Sequence, residues 1–372
     1  MIKISFGGDV KEFVAEGKSY IELISSVDPK LLNSYVAVKE GENVIDLRDV
    51  PADGACVELV GIESKEALHV LRHTATHIMA EAVKHLFPEA KLTIGPATET
   101  GFFYDFECPP FTKENLEAIE KEMKKIIKSS PRIERQVVTR DEAIAMMKAK
   151  NEPYKLELID AIPGDERITI YSQDDFADLC MGPHLLNTRL IKGFKLLSTS
   201  TAYWRGDKNN ASLARIYGTA FFTKEDCEAY LAHLEHIKNI DHNKIGREME
   251  LFTTVDVIGQ GLPLLMPKGA KIIQTLQRWI EDLEDNEWGY IRTKTPLMAK
   301  SDLYKISGHW DHYKDGMFVL GNEEKDKEVF ALRPMTCPFQ YYVYKATHHS
   351  YRDLPLRYSE TSTLFRNEDS GE

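Results

Sequence analysis

Two pairs of residues in this sequence have the types and the spacing of a site that binds a metal or activates a water. His73 and His77 lie four positions apart, so that on a helix both imidazole rings project from one face. About a hundred residues later, Cys180 and His184 lie on either side of a Gly-Pro dipeptide. Three imidazoles and one thiolate are a complete set of tetrahedral zinc ligands, but the same imidazoles could orient and deprotonate a hydrolytic water. The residues alone leave both chemistries open, together with separate burial of the four side chains.

A second set of candidate residues lies towards the end of the sequence. Arg366 and Glu368 are separated by one residue. The planar guanidinium stays charged and binds phosphate in a bidentate manner, so Arg366 suits a nucleotide phosphate, although such a pair is otherwise a surface ion pair worth ~0–1 kcal/mol. Cys337 precedes a proline, and taken by itself it fits a small core residue.

Composition indicates a globular protein with two or three domains. The chain has 372 residues, 42% of them hydrophobic and 28% charged, and no apolar run approaches the ~20 residues of a membrane span. The net charge of −12 argues mildly against a nucleic-acid partner, and the basic clusters at 121–128 and 132–140 fit a solvated helix face. The five dispersed cysteines, without a CxxC pair, and the lack of a signal-peptide pattern predict a cytoplasmic protein.

The elements that must position these residues fall into four segments, which predict an α+β multidomain protein. Residues 1–62 predict a β-rich module with one short helix that Ser19 caps, a β-grasp arrangement. Residues 63–225 predict an α+β domain, which begins with a long amphipathic helix from Ser64 to about Leu86.

The remaining two segments predict a connection and an incomplete domain. Residues 226–250 are charged and predict a linker helix. Residues 251–372 predict a third domain with a helix from Pro267 to about Glu287 and a strand at Tyr290–Pro296. This domain stops without a closing element, so we expect it to be cut off.

Four motifs in a fixed order resemble the editing domain shared by threonyl- and alanyl-tRNA synthetases. They are His73-x3-His77, Gly101–Asp105, Asp178–His184 and Ala202–Asp207. Residues 1–62 likewise resemble the TGS domain of threonyl enzymes. Tyr290–Pro296 resembles motif 1 of class II synthetases, and the segment around Phe365–Glu368 resembles motif 2. The sequence is therefore similar to the N-terminal portion of the threonyl-tRNA synthetase family, truncated within motif 2, with an incomplete antiparallel-sheet catalytic domain.

The resemblance implies roles for the first set of residues. In that family the pocket hydrolyses the ester of a wrongly attached serine on the terminal adenosine of the tRNA. His73, His77, Cys180 and His184 would line the pocket. Asp178 and Lys155 would contact the seryl group or the water. The resemblance implies metal-free hydrolysis in threonyl enzymes, whereas relatives of the alanyl type bind zinc with the same residues.

For the second set, the resemblance implies parts of the aminoacylation site. Arg366 would hold the α-phosphate of ATP, and Glu368 would accept a hydrogen bond from the adenine amino group. Cys337 would be the first ligand of a zinc ion whose two other ligands, both histidines, lie beyond Glu372. The implied cofactors and partners are zinc, ATP with Mg²⁺, threonine and tRNA(Thr), with a homodimer in the full-length protein and no membrane.

The predicted function is that of a threonine–tRNA ligase that edits mischarged seryl-tRNA(Thr). Serine differs from threonine by one methyl group, which provides only ~1–3 kcal/mol of discrimination, so a second, hydrolytic site is required. We expect this chain to retain editing but not complete aminoacylation. The alternatives are a free-standing aminoacyl-tRNA deacylase, which would have no use for residues 251–372, and a non-enzymatic tRNA-binding or regulatory module.

Overall fold

The computed structural model describes residues 1–164, 166–259 and 261–368. The chain forms two compact units, Met1–His236 and Ile237–Glu372. The last four residues of the predicted third domain, 369–372, lie outside the described residues. No helix in the described part of the chain is both long and apolar enough to cross a membrane.

The first unit begins with one helix packed on a five-stranded mixed sheet. The strand order is β2-β1-β5-β3-β4, in which β1 and β5 are parallel and the other pairs are antiparallel. The elements are β1 Ile2–Phe6, β2 Asp9–Phe13, α1 Tyr20–Val27, β3 Tyr35–Glu40, β4 Asn43–Asp46 and β5 Cys56–Gly61. The predicted cap is confirmed, because the Ser19 side chain accepts a hydrogen bond from the Glu22 backbone N–H.

The rest of the first unit contains two sheets and a long central helix. The four-stranded sheet has the order β11-β12-β7-β6, and the three-stranded sheet has the order β10-β9-β8. The helices are α2 Lys65–Leu86, α3 Lys113–Ser129, α4 Arg140–Ala149, α5 Pro153–Ala161 and α6 Lys224–Asn239. The strands are β6 Lys91–Leu92, β7 Phe102–Glu107, β8 Glu134–Val138, β9 Ile168–Gln173, β10 Phe176–Leu179, β11 Gly193–Tyr203 and β12 Ser212–Phe221.

Helix α2 is the central element of this unit, and its prediction is confirmed. The Ser64 side chain accepts a hydrogen bond from Ala67 N and caps the first turn, as serine does at helix starts. Leu71, Ala75 and Ile78 are fully buried, in a core that α2 shares with β7, β12 and α3. The small alanine side chains on this face let the sheet pack close to the helix. These contacts fix α2 in the core, and with it the polar residues that it carries.

Two sequence interpretations are wrong. The predicted single linker helix over 226–250 is two helices, α6 and α7 (His242–Glu248), because the Asp241 side chain accepts from Lys244 N and starts a new helix. The basic cluster at 132–140 is not a solvated helix face. Arg135 lies in β8 and pairs with Asp49 at 2.9 Å, and the Arg140 guanidinium donates to backbone carbonyls of α5 and the loop after it.

The described part of the second unit has short strands and, after α7, four α-helices. The helices are α8 Pro267–Asn286, α9 Ser301–Ile306, α10 His309–Tyr313 and α11 Cys337–Lys345. The strands are β13 Phe252–Thr253, β14 Leu264–Leu265, β15 Ile291–Arg292, β16 Met298–Lys300, β17 Val319–Leu320, β18 Phe330–Leu332 and β19 Tyr358–Ser359. The sheet β16-β18-β17 is antiparallel, whereas β15 and β19 are parallel.

Helix α8 is confirmed, but the strand predicted at Tyr290–Pro296 is reduced to the two residues of β15. Residues 361–368, all of them described, contain no helix or strand.

The close approach of β7 and β12 provides a test of this packing. A Cβ atom on Gly101 would lie 2.2 Å from the carbonyl oxygen of Gly218, whereas one on Gly164 would meet nothing within 4 Å. We therefore expect Gly101→Ala to destabilise the first unit by about 1–3 kcal/mol, and Gly164→Ala to leave it nearly unchanged. Thermal unfolding followed by circular dichroism measures both; equal effects would contradict the predicted contact.

Candidate active site

The structure brings together the four residues that the sequence singles out. Helix α2 supplies His73 and His77, and the loop after β10 supplies Cys180 and His184. Their ligand atoms all lie within 4.8 Å of one another. Cys180 Sγ lies 3.2 Å from Nε2 of His73 and 3.2 Å from Nε2 of His184. The predicted proximity of the two pairs is therefore observed.

His184 lies at the centre of this cluster. The centroid of its ring is 4.2 Å from the ring centroids of both His73 and His77. The Tyr171 ring packs against it at 4.5 Å in an edge-on arrangement. His184 and His77 are buried, while His73 and Cys180 are partly exposed. The cluster is thus reached from the side of His73 and Cys180.

The hydroxyl of Thr74 determines which nitrogen of His184 faces the cluster. Thr74 Oγ1 donates to the Val70 carbonyl at 2.9 Å and accepts from Leu185 N at 3.0 Å. Its one proton is used in the bond to Val70, so the contact of 3.3 Å with His184 Nδ1 requires Nδ1–H as donor. The unprotonated Nε2 of His184 then points at Cys180.

Burial keeps the imidazoles uncharged. It lowers the pKa of His73 to about 4. It also lowers the pKa of His184 well below its usual value, and the neighbouring His73, His77 and Arg48 add to this effect. Desolvation disfavours the charged form of a base, so both rings are neutral free bases at pH 7.

A buried ion pair lies behind His77. Lys155 Nζ, on α5, is 2.6 Å from Asp178 Oδ1, and the Tyr104 hydroxyl donates to Asp178 Oδ2 at 2.8 Å. Asp178 Oδ2 lies 3.9 Å from His77 Nε2. Burial opposes ionisation of Asp178, but the Lys155 ammonium, His77 and the hydrogen bonds outweigh it and lower the pKa of the carboxyl. Asp178 and Lys155 are 1% and 2% exposed, so they support the imidazoles from inside the unit.

Sequence reasoning missed the residues that hold the loop of His184 in place. Asp46 Oδ2 accepts from His184 N at 3.1 Å and from the Tyr171 hydroxyl at 3.0 Å. Arg48 NH1 is 2.9 Å from Asp46 Oδ1 and donates to the His184 carbonyl at 3.1 Å, and Arg48 NH2 donates to the Leu185 carbonyl at 2.8 Å. Asp46 ends β4 of the amino-terminal module, 138 residues away. No local pattern marks it.

The four-residue cluster is also compatible with a zinc ion. Three histidines and one cysteine are a common tetrahedral donor set, and the neutral Nε2 of His184 is in the form that a metal accepts. The two sulfur–nitrogen distances of 3.2 Å are close to the ~3.5 Å expected between ligands of one zinc ion.

The second set of predicted residues lies in the unit 237–372. Arg366 and Glu368 are 3.7 Å apart, and their side chains are 46% and 44% exposed. Cys337 is exposed at the start of α11. Within the ranges that the structure describes, Cys337 belongs to no group of three or more metal-ligating side chains, so the described residues do not complete a zinc site there.

The sequence analysis also missed the most buried charged group of this unit. Arg333 is fully buried, and its NH1 lies 3.0 Å from Glu360 Oε1. Arg333 Nε donates to the Thr363 carbonyl at 2.9 Å. Glu360 in turn accepts from the Thr295 hydroxyl at 2.7 Å. This pair holds the segment that leads to Arg366.

Comparison with known proteins gives the class of the molecule. Residues 168–217 match the family model described as the threonyl and alanyl tRNA synthetase second additional domain. This stretch contains Asp178, Cys180 and His184. The match and the His/Cys cluster together define a protein related to the aminoacyl-tRNA synthetases.

Relatives extend the similarity to the whole chain. The threonine–tRNA ligase of Clostridium perfringens is 57% identical over 375 residues, which cover 100% of this chain and 58% of that protein. The enzyme of Anoxybacillus flavithermus is 47% identical over 373 residues, which cover 100% of this chain and 57% of that protein. The crystal structure of the RNA binding domain of threonyl-tRNA synthetase from Cryptosporidium parvum is 34% identical over 35% of this chain and 32% of that chain, with a TM-score of 0.33.

The chain is homologous over its full length to threonine–tRNA ligases. It spans about 58% of the length of the curated relatives that it matches.

The contact between Asp46 and the loop of His184 generates the first prediction for the site. Asp46→Asn removes one partner of a buried, hydrogen-bonded pair, which costs about 3–5 kcal/mol, and it releases residues 183–185. We expect a lower unfolding temperature and faster hydrogen exchange in this loop, measured by mass spectrometry. Asp53→Asn is the control, because the Asp53 side chain is 92% exposed and pairs only with the amino terminus among the described residues. The same loss in both variants would refute the assigned role.

The low pKa of His73 predicts a dependence of stability on pH. Between the unfolded value of ~6.5 and the folded value of about 4, the unfolded chain binds the proton and the folded chain does not, so the free energy of unfolding falls as the pH falls. The loss from His73 is complete below about pH 4 and amounts to about 3 kcal/mol. Urea unfolding at a series of pH values, with EDTA present, measures this loss. His73→Gln should make the plot of unfolding free energy against pH less steep. An identical slope in the variant would contradict the burial of a neutral His73.

Proposed function

We propose that this chain is part of a threonine–tRNA ligase and that its His/Cys cluster hydrolyses serine wrongly attached to tRNA(Thr). The convergence of three imidazoles and a thiol at one partly open point carries this proposal. The homology supports it, because the matched domain is one that threonyl and alanyl synthetases share.

The reaction is hydrolysis of the ester between the seryl carboxyl and a ribose hydroxyl of the terminal adenosine. Water adds to the carbonyl carbon, the acyl–oxygen bond breaks, the ribose oxygen takes one proton, and serine leaves with the new oxygen. A base with a pKa near 4, as for His73, binds a proton weakly. The neutral Nε2 atoms of His73 and His184 therefore orient the water by accepting its hydrogen bonds, and the proton passes from the water to the leaving ribose oxygen.

Asp178 and Lys155 act as positioning residues in this proposal. Their pair is too deeply buried to bind a whole seryl group, and it lies 3.9 Å behind His77 Nε2. A paired carboxylate and ammonium place no net charge in the interior. They hold the ring of His77 and the end of β10, and so the loop with Cys180.

A zinc ion at the same cluster is the second candidate, and the positions of the four ligand atoms favour it. When bound, zinc lowers the pKa of a coordinated water and polarises a carbonyl. We propose the metal-free reaction, because the neutral imidazoles of His73 and His184 can accept hydrogen bonds from a water without a metal ion.

We propose aminoacylation only for a protein of the full length of the relatives, of which this chain spans about 58%. We propose that Arg366 binds the α-phosphate of ATP and that Glu368 accepts from its adenine. Both side chains are about half exposed and so are accessible to a nucleotide. Cys337 would contribute one zinc ligand in an enzyme that uses threonine, ATP with Mg²⁺ and tRNA(Thr) and that forms a homodimer. Cytoplasmic location is part of the same proposal.

The alternative of a free-standing deacylase is less well supported. The homology to synthetases continues through residues 237–372, which a deacylase would not need. A pure binding module would have no need of neutral imidazoles around a thiol.

A deacylation assay tests the proposal. The chain should release serine from seryl-tRNA(Thr) and spare threonyl-tRNA(Thr), and it should not aminoacylate tRNA. His73→Ala and His184→Ala should each lower the rate of serine release by about 10²-fold or more, because they remove the groups that orient the water.

His233→Ala is the matched control, because His233 is an exposed helix residue outside the cluster, and its rate should equal that of the wild type. The same assay with and without a chelator distinguishes metal-free hydrolysis from hydrolysis that needs zinc. Equal hydrolysis of both esters, or of neither, would refute the editing assignment.

A further inference from the structure

A second group of chemically active side chains lies on helix α2, outside the cluster described above. Glu81 and His85 continue the four-residue spacing of His73 and His77 along the helix. Asp175 lies in the turn between β9 and β10 and reaches the same point. One carboxylate oxygen of Glu81, one of Asp175 and Nε2 of His85 lie within 4.8 Å of one another. The proposed editing reaction uses none of these residues.

The carboxylate of Glu81 is the unusual member of this group. Glu81 is 1% exposed. Its Oε2 accepts from Gln173 Nε2, but among the described residues its Oε1 has no hydrogen-bond partner. Oε1 faces His85 Nε2 at 4.0 Å. An unpartnered buried carboxylate oxygen costs free energy, and a ligand that supplies positive charge would remove that cost.

The surroundings of His85 are those of a metal-binding histidine. Its Nε2 lies 3.2 Å from Asp175 Oδ1, and its Nδ1 lies 3.3 Å from Glu122 Oε1. Histidines that bind metals usually donate their second N–H to a carboxylate, which fixes the ring and the tautomer. Glu122, on α3, is in that position.

We propose that Glu81, His85 and Asp175 bind a divalent transition-metal ion, with Zn²⁺ as the best fit. Ligand atoms at ~2.0–2.2 Å from a tetrahedral zinc ion are about 3.4 Å apart. The observed separations of 3.2 Å and 4.0 Å bracket this value. One imidazole with two carboxylates favours zinc, cobalt or nickel over Mg²⁺ and Ca²⁺, which take oxygen ligands.

Space for the remaining coordination positions adjoins the group. A cavity of about 220 Å³ is lined by His85, Asp175, Lys150 and Phe176, among others. It is open to solvent and can hold the water that completes a tetrahedral shell. Two lysines line the cavity. Lys84 is paired with Glu152 at 2.9 Å, so its charge is compensated, and Lys150 Nζ donates to the Asp175 carbonyl at 3.5 Å.

The ion would join α2 to the β9–β10 hairpin. The same two elements hold His77 and Asp178, so binding would stabilise the region around the cluster without taking part in its chemistry. The proposal therefore does not depend on the editing reaction, and a failure of either leaves the other standing.

Metal binding to the full chain tests this proposal. After removal of bound metal, Co²⁺ is titrated and its absorption is recorded. Binding at Glu81, His85 and Asp175 should give the visible bands of nitrogen and oxygen ligands, without the near-ultraviolet charge-transfer band that a Cys180 thiolate would add. Equilibrium dialysis with Zn²⁺, followed by elemental analysis, counts the ions. Cys180→Ala supplies a background in which the thiolate contribution is absent.

Substitutions identify the ligands. In the Cys180→Ala background, Glu81→Gln and Asp175→Asn should each weaken Co²⁺ binding by at least about 10-fold, and Glu122→Gln should weaken it by about 10–100-fold. Asp174→Asn is the matched control, since it removes the same charge one residue away, and it should leave the affinity within about twofold. Circular dichroism melting of each apo-protein verifies that it is folded.

Two results would overturn the proposal. One is the absence of a bound ion in the Cys180→Ala protein at millimolar Co²⁺ and Zn²⁺. The other is equal weakening by Asp174→Asn and Asp175→Asn, which would show a general attraction of cations to acidic groups. In either case the role of His85 would be that of a cationic side chain that pairs with Asp175 and Glu122.

Discussion

An ionised group inside a protein must be paired or must lose its charge, and the interior of residues 1–236 is organised by that requirement. The Lys155 ammonium, 2.6 Å from Asp178, helps to keep the pKa of that carboxyl low, and Arg48 pairs with Asp46 at 2.9 Å. Burial lowers the pKa of His73 and of His184, so both rings are neutral, whereas His77 lies 3.9 Å from Asp178. Neutral imidazoles can accept hydrogen bonds from water or bind a metal, whereas imidazolium ions can do neither. The candidate chemistry therefore depends on which buried groups are paired with a group of opposite charge.

The four-residue spacing in the sequence places four functional side chains in a row along helix α2. Residues four apart rise about 6 Å along one side of a helix, and His73, His77, Glu81 and His85 follow this spacing. The β9–β10 hairpin and the loop that follows it run beside this row, with Asp175 near one end and Cys180 near the other. The helix can carry polar groups inside the unit because its alanine-rich face supplies the core contacts that hold it.

The unit 237–372 depends on one fully buried ion pair in the same way. Arg333 and Glu360 hold β16, β18 and the segment after β19 in place through hydrogen bonds to Thr295, Pro296 and Thr363. The residues that the sequence analysis assigned to nucleotide binding, Arg366 and Glu368, lie at the edge of this arrangement and are half exposed. The chain spans about 58% of the length of its relatives, and among the described residues Cys337 belongs to no group of three or more metal-ligating side chains.

The sequence by itself determined the local features. It predicted the bounds of α1, α2 and α8 with the serine caps of α1 and α2, and it indicated the two residue pairs of the cluster, because periodicity and capping act within a few residues. Only the tertiary structure decided that Asp46 and Arg48 hold the loop of His184, that Arg135 pairs with Asp49, and that Asp175 meets His85. These contacts join residues 86 to 138 positions apart. The packing of whole elements determines such partners. The side chain of one aspartate or arginine does not show which distant group it will bond to.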